Sequence, residues 1–437
     1  MPLGFYIIMA AQFFSALADN ALLIASIALL RDMQAPAEYE PLLKLFFTVS
    51  YVALAAFVGA YADSMAKWRV MLISNTIKIV GCSVMVFGVH PLFAYAIVGL
   101  GAAAYSPAKY GILTEYLPHR LLVVANGWIE GLTIGAIILG TGIGGALIYP
   151  GVSETLLSLN LPLIDTPFEM ALLVVGLIYV IAAVFNLFVP DTGVDHKALK
   201  SNPLYLLHDF NHCLKLLWRD KLGQISLAVT TLFWGAGATL QFIVLKWADD
   251  SLGIALSKAS LLQGVVAIGI SIGAVLAARK ITLRGSTRVI PLGIAMGLSM
   301  LLMIAVPYVP VHELATVHLF GLNLSIELRT CAVMLLLICV GAMAGFFVVP
   351  MNALLQHRGH ILMGAGHSIA VQNFNENLSI LIMIALYAGL IWLGVSVNVV
   401  IVLFGLFVAG AMLLVQKVHQ ANQREFDNVA LLEDKHH

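Results

Sequence analysis

Charged side chains inside long apolar stretches of the chain are rare, and four of them are candidates for function. They are Asp19, Lys109, Glu130 and Glu376. An ionisable group in hydrocarbon is costly, so it usually faces a cavity or a partner. The carboxylates of Asp19 and Glu376 could bind a cation or a donor-rich head group, and the ammonium of Lys109 could bind a phosphate or a carboxylate. We therefore predict that these side chains serve a polar cavity.

Each of these charges also has a structural interpretation. Lys109 could form an ion pair with Glu130 or Glu115. Glu376 could belong to a hydrogen-bond network with the amides beside it, which are Gln372, Asn373, Asn375 and Asn377. Lys78 lies well inside another apolar stretch, and we expect it to snorkel towards the cytoplasmic face.

No enzyme site competes with this interpretation. The sequence has no Gly-x-Ser-x-Gly, no His-x-x-x-x-Asp, no Walker loop and no His/Cys cluster with metal-ligand spacing. The four cysteines show no Cys-x-x-Cys spacing, so we expect them to be small apolar fillers. We predict a protein that is not an enzyme and that needs no metal and no cofactor.

The amino-acid composition indicates the class of protein in which these charges lie. The 437 residues are 61% hydrophobic and 11% charged, whereas a soluble domain carries about 25% charged residues. Soluble domains are therefore excluded, and the hydrophobicity excludes disorder. Lys plus Arg and Asp plus Glu both number 23, so no basic excess indicates nucleic-acid binding. A polytopic membrane protein remains.

Apolar runs long enough to cross a bilayer, about 20 residues each, occur twelve times. The predicted spans are 5–30, 43–62, 70–89, 92–114, 123–148, 170–189, 222–246, 260–279, 288–308, 330–350, 367–391 and 396–416. Lys and Arg concentrate in cytoplasmic loops. With a cytoplasmic N-terminus, sixteen of them fall in cytoplasmic loops and the tail and five in outer loops. Both termini are therefore predicted to be cytoplasmic.

The largest polar interruption divides the spans six and six. Within it, apolar residues recur at helical spacing with basic residues between them, which predicts an amphipathic helix on the cytoplasmic membrane surface. A plain solvated linker is the alternative. Pro107 and Pro350 each follow a glycine-rich stretch, six spans apart, as a weak repeat. We predict an all-α membrane protein of twelve helices with the major facilitator architecture. Its parts are a six-helix bundle at 1–189, the linker at 190–221, and a six-helix bundle with a short tail at 222–437.

The segment GAYADSMAKWR, between the second and third spans, contains Gly59, Asp63, Lys67 and Arg69. It resembles the Gly-x-x-x-Asp-x-x-x-(Lys/Arg)-x-(Lys/Arg) loop of major facilitator transporters. A carboxylate with flanking cations can bond to a neighbouring helix in one state and release it in the other, so we predict a cytoplasmic gate. The alternative, generic positive-inside charge, explains Lys67 and Arg69 but not Gly59 and Asp63.

Glycines repeat at every fourth position in two spans. Gly127 and Gly131 lie in the fifth span, and Gly269 and Gly273 lie in the eighth. Such small-x-x-x-small ridges let helices approach closely. They predict either a slidable seam between two bundles, with Glu130, Gly131 and Gly273 taking part in gating, or tight packing within one bundle.

A more specific resemblance lies in five long segments. These are AQFFSALADNALLIASIALL, VGLGAAAYSPAKYGILTE, TLFWGAGATLQF, GFFVVPMNALLQ and AVQNFNENL. They are similar to the bacterial lysophospholipid transporters of the major facilitator superfamily, and they are spread over both halves. The resemblance implies movement of lysophospholipids, chiefly lysophosphatidylethanolamine, across the inner membrane of a Gram-negative bacterium to the cytoplasmic leaflet. It also implies a separate acyltransferase/acyl-carrier-protein synthetase that re-acylates the lipid. We expect a monomer surrounded by membrane lipids.

The resemblance also implies a set of site residues. The functional residues within matching motifs are Asp19, Lys109, Glu130 and Glu376. The predicted substrate-binding set is Asp19, Asn20, Lys109, Gln241, Asn373 and Glu376. In this hypothesis the two carboxylates receive the ethanolamine ammonium, while Lys109 and Gln241 serve the phosphate. The family pattern has a basic residue where this chain has Gln241, so Lys109 or Lys246 substitutes for it, or Gln241 only hydrogen-bonds the head group.

Two other functions stay open at this point. One is a major facilitator secondary transporter of a soluble or drug-like substrate. The other is a non-transporting membrane scaffold for the acyltransferase. Intramembrane carboxylates favour transport over the scaffold, since a scaffold gives them no task.

Overall fold

The computed structural model describes residues 1–35, 39–159, 161, 164–195, 198, 202–253, 256–319, 322–426 and 429. The sixteen basic residues counted on the cytoplasmic side include Lys197, Lys200 and Lys435, and these three lie outside the described residues, as does part of the predicted linker.

The described part of the chain is built mainly from fifteen α-helices. They are α1 (Leu3–Asp32), α2 (Tyr39–Ala53), α3 (Ala55–Asp63), α4 (Lys67–Val86), α5 (Pro91–Tyr116), α6 (Leu122–Ile148), α7 (Pro150–Leu157), α8 (Pro167–Leu187), α9 (Pro203–Arg219), α10 (Gly223–Leu252), α11 (Leu256–Lys280), α12 (Ile290–Ser299), α13 (Leu328–Met363), α14 (Ala365–Trp392) and α15 (Val397–Glu425). Short 3₁₀ turns stand at His119–Leu121, Leu283–Val289, Met300–Ile304 and Val306–Tyr308. Two strands, β1 (Glu313–Leu319) and β2 (Leu322–Glu327), pair antiparallel before α13, with Leu319 opposite Leu322. The sequence did not predict this hairpin.

The prediction of twelve membrane spans is confirmed. Among the residues that the structure describes, eleven helices are long and apolar enough to cross a membrane, and α2 and α3 make a twelfth span if that bent pair counts as one. The two helices meet at 62°, and Leu54 stands between them. Neither glycine nor proline occurs at this break, so the sequence offered no signal for it. The predicted span 43–62 was therefore located correctly without its bend.

The two repeated prolines lie inside helices. Pro107 is within α5 and Pro350 within α13. Proline removes one backbone donor, which membrane helices tolerate when neighbouring groups satisfy the freed carbonyl. Because α13 continues through Pro350 to Met363, the tenth span is longer than the predicted 330–350.

The linker contains the predicted helix, α9. Phe210, Cys213 and Leu217 are buried on one face. The ring of Phe210 packs edge-on against that of Phe374, with the ring centroids 5.4 Å apart. The helix is thus partly a packing element of the protein, while Leu204 and Leu207 stay exposed. The attachment of α9 to the membrane surface stays a prediction.

The chain forms two compact units. Unit 1 comprises Met1–His119, Gly131–Arg219 and Gln356–Asn377, and unit 2 comprises Arg120–Glu130, Asp220–Leu355 and Leu378–His437. In unit 1, α4 packs against α5 and α8, and α1 packs against α8. In unit 2, α15 packs against α10 and α12. The domain boundaries predicted from the sequence stay a prediction.

Candidate functional site

Unit 1 contains a small polar pocket of about 60 Å³. It is lined from α1 by Gln12, Ser15, Ala16 and Asp19, from α2 by Tyr51, from α4 by Lys78, and from α5 by Ala102, Tyr105, Ser106 and Lys109. These ten residues are called the polar pocket below. One carboxylate and two ammonium groups stand on its wall, so its lining carries a formal charge of +1. Such a wall suits an anionic or zwitterionic ligand.

Asp19 is held by two side chains in the polar pocket. Its Oδ2 lies 2.8 Å from Nζ of Lys78, and its Oδ1 accepts a 2.6 Å hydrogen bond from the hydroxyl of Tyr179. The Asp19 side chain is 20% exposed, whereas that of Lys78 is 2% exposed. The carboxylate therefore faces open space while its cationic partner is enclosed by protein.

The expectation that Lys78 snorkels to the cytoplasmic face was wrong. Its ammonium turns inward because it finds Asp19 and also donates to Oγ of Ser15 at 3.0 Å. The ring of Tyr105 lies 5.0 Å from Nζ, within the range of a cation–π contact. Gly101 of α5 leaves room for the stem, because a Cβ there would lie 2.8 Å from Cγ of Lys78.

Two more predicted substrate residues meet at this site. Lys109 lines the polar pocket, and its Nζ lies 4.5 Å from the ring centroid of Tyr110. Asn373 of α14 donates to Oγ of Ser106 at 2.9 Å. Since Ser106 lines the polar pocket, Asn373 supports its wall from behind. The structure thus brings Asp19, Lys109 and Asn373 together.

The other predicted substrate residues lie elsewhere. Asn20 donates to the carbonyl of Ala16 at 2.8 Å and does not line the polar pocket. Glu376 is buried and accepts a 2.7 Å hydrogen bond from Gln372. This contact agrees with the structural alternative, in which Glu376 bonds to the amides beside it.

Two of the three candidates for the phosphate partner lie in unit 2. Gln241 of α10 donates to Gln263 of α11 at 2.7 Å. Lys246 pairs with Asp250 at 2.9 Å, one turn along the same helix. Lys109 is therefore the one of the three that lines the polar pocket.

The predicted gate forms a second polar cluster within unit 1. Asp63, at the end of α3, accepts hydrogen bonds from the backbone N–H groups of Gly366 (2.7 Å) and His367 (3.1 Å), at the first turn of α14. The carboxylate thus satisfies donors that a helix N-terminus leaves open. Gly59 permits this approach, because a Cβ there would lie 2.8 Å from Cβ of Ala370.

Charged side chains complete this Asp63 cluster. Lys67 lies 2.8 Å from Asp63 and 3.2 Å from Glu115. The ring nitrogens of His367 lie 2.6 Å from Asp63 and 3.2 Å from Asp209 of α9. The cluster therefore joins α3, α4, α5, α9 and α14 at one end of unit 1.

The remaining predicted gating residues include Arg69, Gly131 and Gly273, and their surroundings differ. Arg69 is exposed, with its guanidinium 5.2 Å from the ring of Trp68. A Cβ at Gly131 would meet no heavy atom within 4 Å, so this glycine is not needed for close packing. A Cβ at Gly273 would collide with the backbone carbonyl of Ala342, so α11 and α13 touch within unit 2. At Gly273, tight packing within one unit is therefore the interpretation that the structure favours.

The fifth and eighth spans do meet. A Cβ at Gly127 of α6 would lie 2.7 Å from Cβ of Ala278 of α11, within unit 2. Glu130, one turn further along α6, is buried. The gating roles of Glu130, Gly131 and Gly273 stay predictions.

Sequence reasoning missed Lys78 as a site residue, and with it Tyr179, His367 and Asp209. For Lys78 the signal was present, since a lysine deep in a span is rare, but its partner was unknown. Tyr179 sits in an apolar run without any polar neighbour that would draw attention to it. His367 and Asp209 join the cluster through contacts that begin at Asp63, and both are far from Asp63 in the sequence.

Comparison with known proteins places this arrangement in a family. The model of the Major Facilitator Superfamily matches residues 8–378. Lysophospholipid transporter LplT of Yersinia enterocolitica is 42% identical over 395 residues, which are 90% of this chain and 89% of that protein. LplT of Yersinia pestis is 42% identical over 391 residues, 89% of this chain and 87% of that protein. The chain belongs to the lysophospholipid transporter family of the Major Facilitator Superfamily.

Solved structures share the fold of this superfamily at low sequence identity. A bacterial homologue of the iron transporter ferroportin, in an outward-facing state, has a TM-score of 0.67 at 12% identity and covers 97% of this chain and 100% of its own. The human organic anion transporter MFSD10 has a TM-score of 0.70 at 15% identity, with 96% and 100% covered. At such identities the likeness concerns the fold alone, and it agrees with the helical architecture predicted from the sequence.

Proposed function

We propose that this protein moves lysophosphatidylethanolamine, and other lysophospholipids, across the inner membrane of a Gram-negative bacterium to the cytoplasmic leaflet. Both termini face the cytoplasm in this proposal, in keeping with the bias of Lys and Arg towards the loops on that side. The names of the Yersinia relatives support the substrate class. A separate acyltransferase/acyl-carrier-protein synthetase then re-acylates the delivered lipid, and the transporter works as a monomer.

The observation that carries the proposal is the polar pocket between the helices α1, α2, α4 and α5 of unit 1. A lysophospholipid has one acyl chain and a charged head, and only the head must be shielded from hydrocarbon during the crossing. Asp19 offers a carboxylate for the ethanolamine ammonium, and Lys109 offers an ammonium for the phosphate. Asn373 supports the wall through Ser106. The acyl chain can stay in lipid while the head moves past these groups.

Transport also needs two states with different access, and the Asp63 cluster supplies a contact suited to one of them. Its hydrogen bonds fix the first turn of α14 to α3. We assign this contact to the closed cytoplasmic side, where Asp63 and Lys67 hold the gate and Arg69 remains at the surface. Breaking the contact would release α14 and open a lateral path for the lipid.

The decisive experiment uses purified protein alone in proteoliposomes that contain lysophosphatidylethanolamine, with movement between leaflets followed by back-extraction with albumin. We expect flipping by the wild type and a loss of about tenfold or more in Asp19→Asn, because one charge-assisted contact to the head group is removed. The matched control is Lys221→Gln/Glu425→Gln, which removes a pair whose side chains are 45% and 71% exposed.

The results separate the competing functions. If folded wild-type protein flips no lysophospholipid, the proposal fails, and a scaffold role for the acyltransferase becomes the better account. If it instead takes up a soluble solute, it is a secondary transporter of another substrate class. If Asp19→Asn folds and flips as fast as the wild type, the head group binds elsewhere.

A further inference from the structure

Lys78 lines the polar pocket, and the proposed function gives it no role. It forms an ion pair with Asp19, the group that the proposed function gives to the substrate ammonium. We propose that Lys78 is a specificity-determining residue, and that Asp19 and Lys78 recognise a zwitterionic head group by exchanging partners with it. The substrate ammonium takes the place of Lys78 on Asp19, and the released Lys78 ammonium binds the substrate phosphate. This inference rests on the proposed function and deepens it.

The arrangement of the pair supports an exchange. Asp19 and Lys78 both line the polar pocket, their charged groups lie 2.8 Å apart, and the Asp19 side chain is the more exposed of the two, at 20% against 2%. A phosphoethanolamine head carries the same two charges on one short link. Both charges of the pair can therefore find a new partner within the same bound molecule.

The energetics of buried charge favour exchange over simple separation. Breaking a buried ion pair is strongly unfavourable when one charge is left without a partner. A zwitterion leaves neither charge without one. An anionic head without an ammonium can bind phosphate-binding groups of the wall such as Lys109, but it offers nothing to Asp19, so the Asp19–Lys78 pair stays closed. The polar pocket should therefore prefer a zwitterionic lysophospholipid over an anionic one.

Neighbouring side chains are placed to support both states of the pair. The hydroxyl of Tyr179 donates to Oδ1 of Asp19 at 2.6 Å, on the oxygen that Lys78 does not use. It can therefore keep the carboxylate in position after Lys78 leaves. Ser15 accepts from Lys78 at 3.0 Å and donates to Asn75 at 2.8 Å, which defines the direction of the ammonium in the closed state.

The test compares flipping of lysophosphatidylethanolamine and lysophosphatidylglycerol, the latter having a phosphate but no ammonium, in the same proteoliposomes. The variant is Asp19→Asn/Lys78→Gln, which removes both charges together and so leaves no buried charge without a partner. We expect the rate for lysophosphatidylethanolamine divided by that for lysophosphatidylglycerol to fall about tenfold or more relative to the wild type. The variant no longer has a carboxylate at position 19 that pairs with the substrate ammonium. The control Lys221→Gln/Glu425→Gln should keep the wild-type ratio.

A second measurement needs no variant. N-acetyl-lysophosphatidylethanolamine keeps the phosphate and masks the ammonium as an amide, and it is tested as a competitor against the wild type. We expect it to compete about tenfold or more weakly than lysophosphatidylethanolamine itself. Equal competition by both lipids overturns the inference.

The outcomes distinguish the inference from the proposed function. Suppose that the wild type flips lysophosphatidylethanolamine and that the ratio of the two rates in the double variant stays within about twofold of the wild-type ratio. Such a change is much smaller than the loss of one charge-assisted contact would give. The Asp19–Lys78 pair is then structural and the inference is wrong. If the wild type flips no lysophospholipid at all, the proposed function itself has failed and the inference falls with it.

Discussion

The Asp63 cluster makes a quantitative prediction about how α14 is held to α3. The perturbation is Asp63→Asn, which keeps the shape of the side chain and removes its charge. Four donors lie within hydrogen-bond distance of this carboxylate: the N–H groups of Gly366 and His367, the ring of His367 and the ammonium of Lys67. The side chains of Asp63 and Lys67 are 7% and 4% exposed, so water cannot replace the lost partner.

The expected magnitude follows from these contacts. Removing one member of a buried ion pair costs about 3–5 kcal/mol. The amide oxygen of asparagine can still accept from one backbone N–H, and Glu115 remains 3.2 Å from Lys67. We therefore expect the lower end of this range, a fall of about 3 kcal/mol in the free energy of unfolding.

The assay is reversible unfolding of the purified protein in mixed detergent, followed by tryptophan fluorescence. Glu425→Gln serves as the control, because its ion pair with Lys221 is well exposed and should be worth less than about 1 kcal/mol. If Asp63→Asn shifts the free energy of unfolding no more than Glu425→Gln does, the cluster does not hold α14 to α3 and the assignment of the gate loses its basis.

Two further predictions concern packing. Gly273→Val should prevent stable folding, because its side chain would overlap the backbone of α13. Gly131→Val should fold normally, since a Cβ there meets no heavy atom within 4 Å. The yield of detergent-solubilised protein on size-exclusion chromatography compares the two variants. Phe210→Ala should lower the free energy of unfolding by about 3–5 kcal/mol, whereas Leu204→Ala should change it by about 0.5 kcal/mol or less, because Phe210 is buried on α9 and Leu204 is exposed. Equal losses in the same unfolding assay would show that α9 does not pack through the face described.

Much of the fold could be predicted because the governing signal is local. An apolar run of sufficient length specifies a membrane helix whatever its neighbours are, so the twelve spans and the helix in the linker were found from the sequence. The bend at Leu54 was not found, since nothing in the residue types marks it. The hairpin of β1 and β2 was missed for a related reason: it is a short connection between spans, outside the apolar pattern on which the prediction depended.

The residues of the candidate site were predictable only in part, and its pairings were not. Charge inside an apolar run marked Asp19 and Lys109 directly, and both line the polar pocket. The partner of Asp19 depends on how α1, α4 and α8 pack, and packing of membrane helices leaves little trace in their apolar pattern. For this reason Lys78 was assigned to the membrane surface although it lies 2.8 Å from Asp19. Gln241 was assigned to the substrate site, but it lies in unit 2 and donates a hydrogen bond to Gln263.

Two carboxylates of unit 1, Asp19 and Asp63, differ in the kind of group that holds them. Asp19 is held by the side chains of Lys78 and Tyr179 and is 20% exposed. Side chains can rotate away one at a time, so a ligand can replace a partner at Asp19 without moving a helix. Asp63 is held partly by backbone N–H groups of α14. A backbone donor moves only with its helix, so these contacts tie Asp63 to the position of the first turn of α14. We therefore propose that Asp19 exchanges partners with a head group and that Asp63 takes part in the change between conformational states.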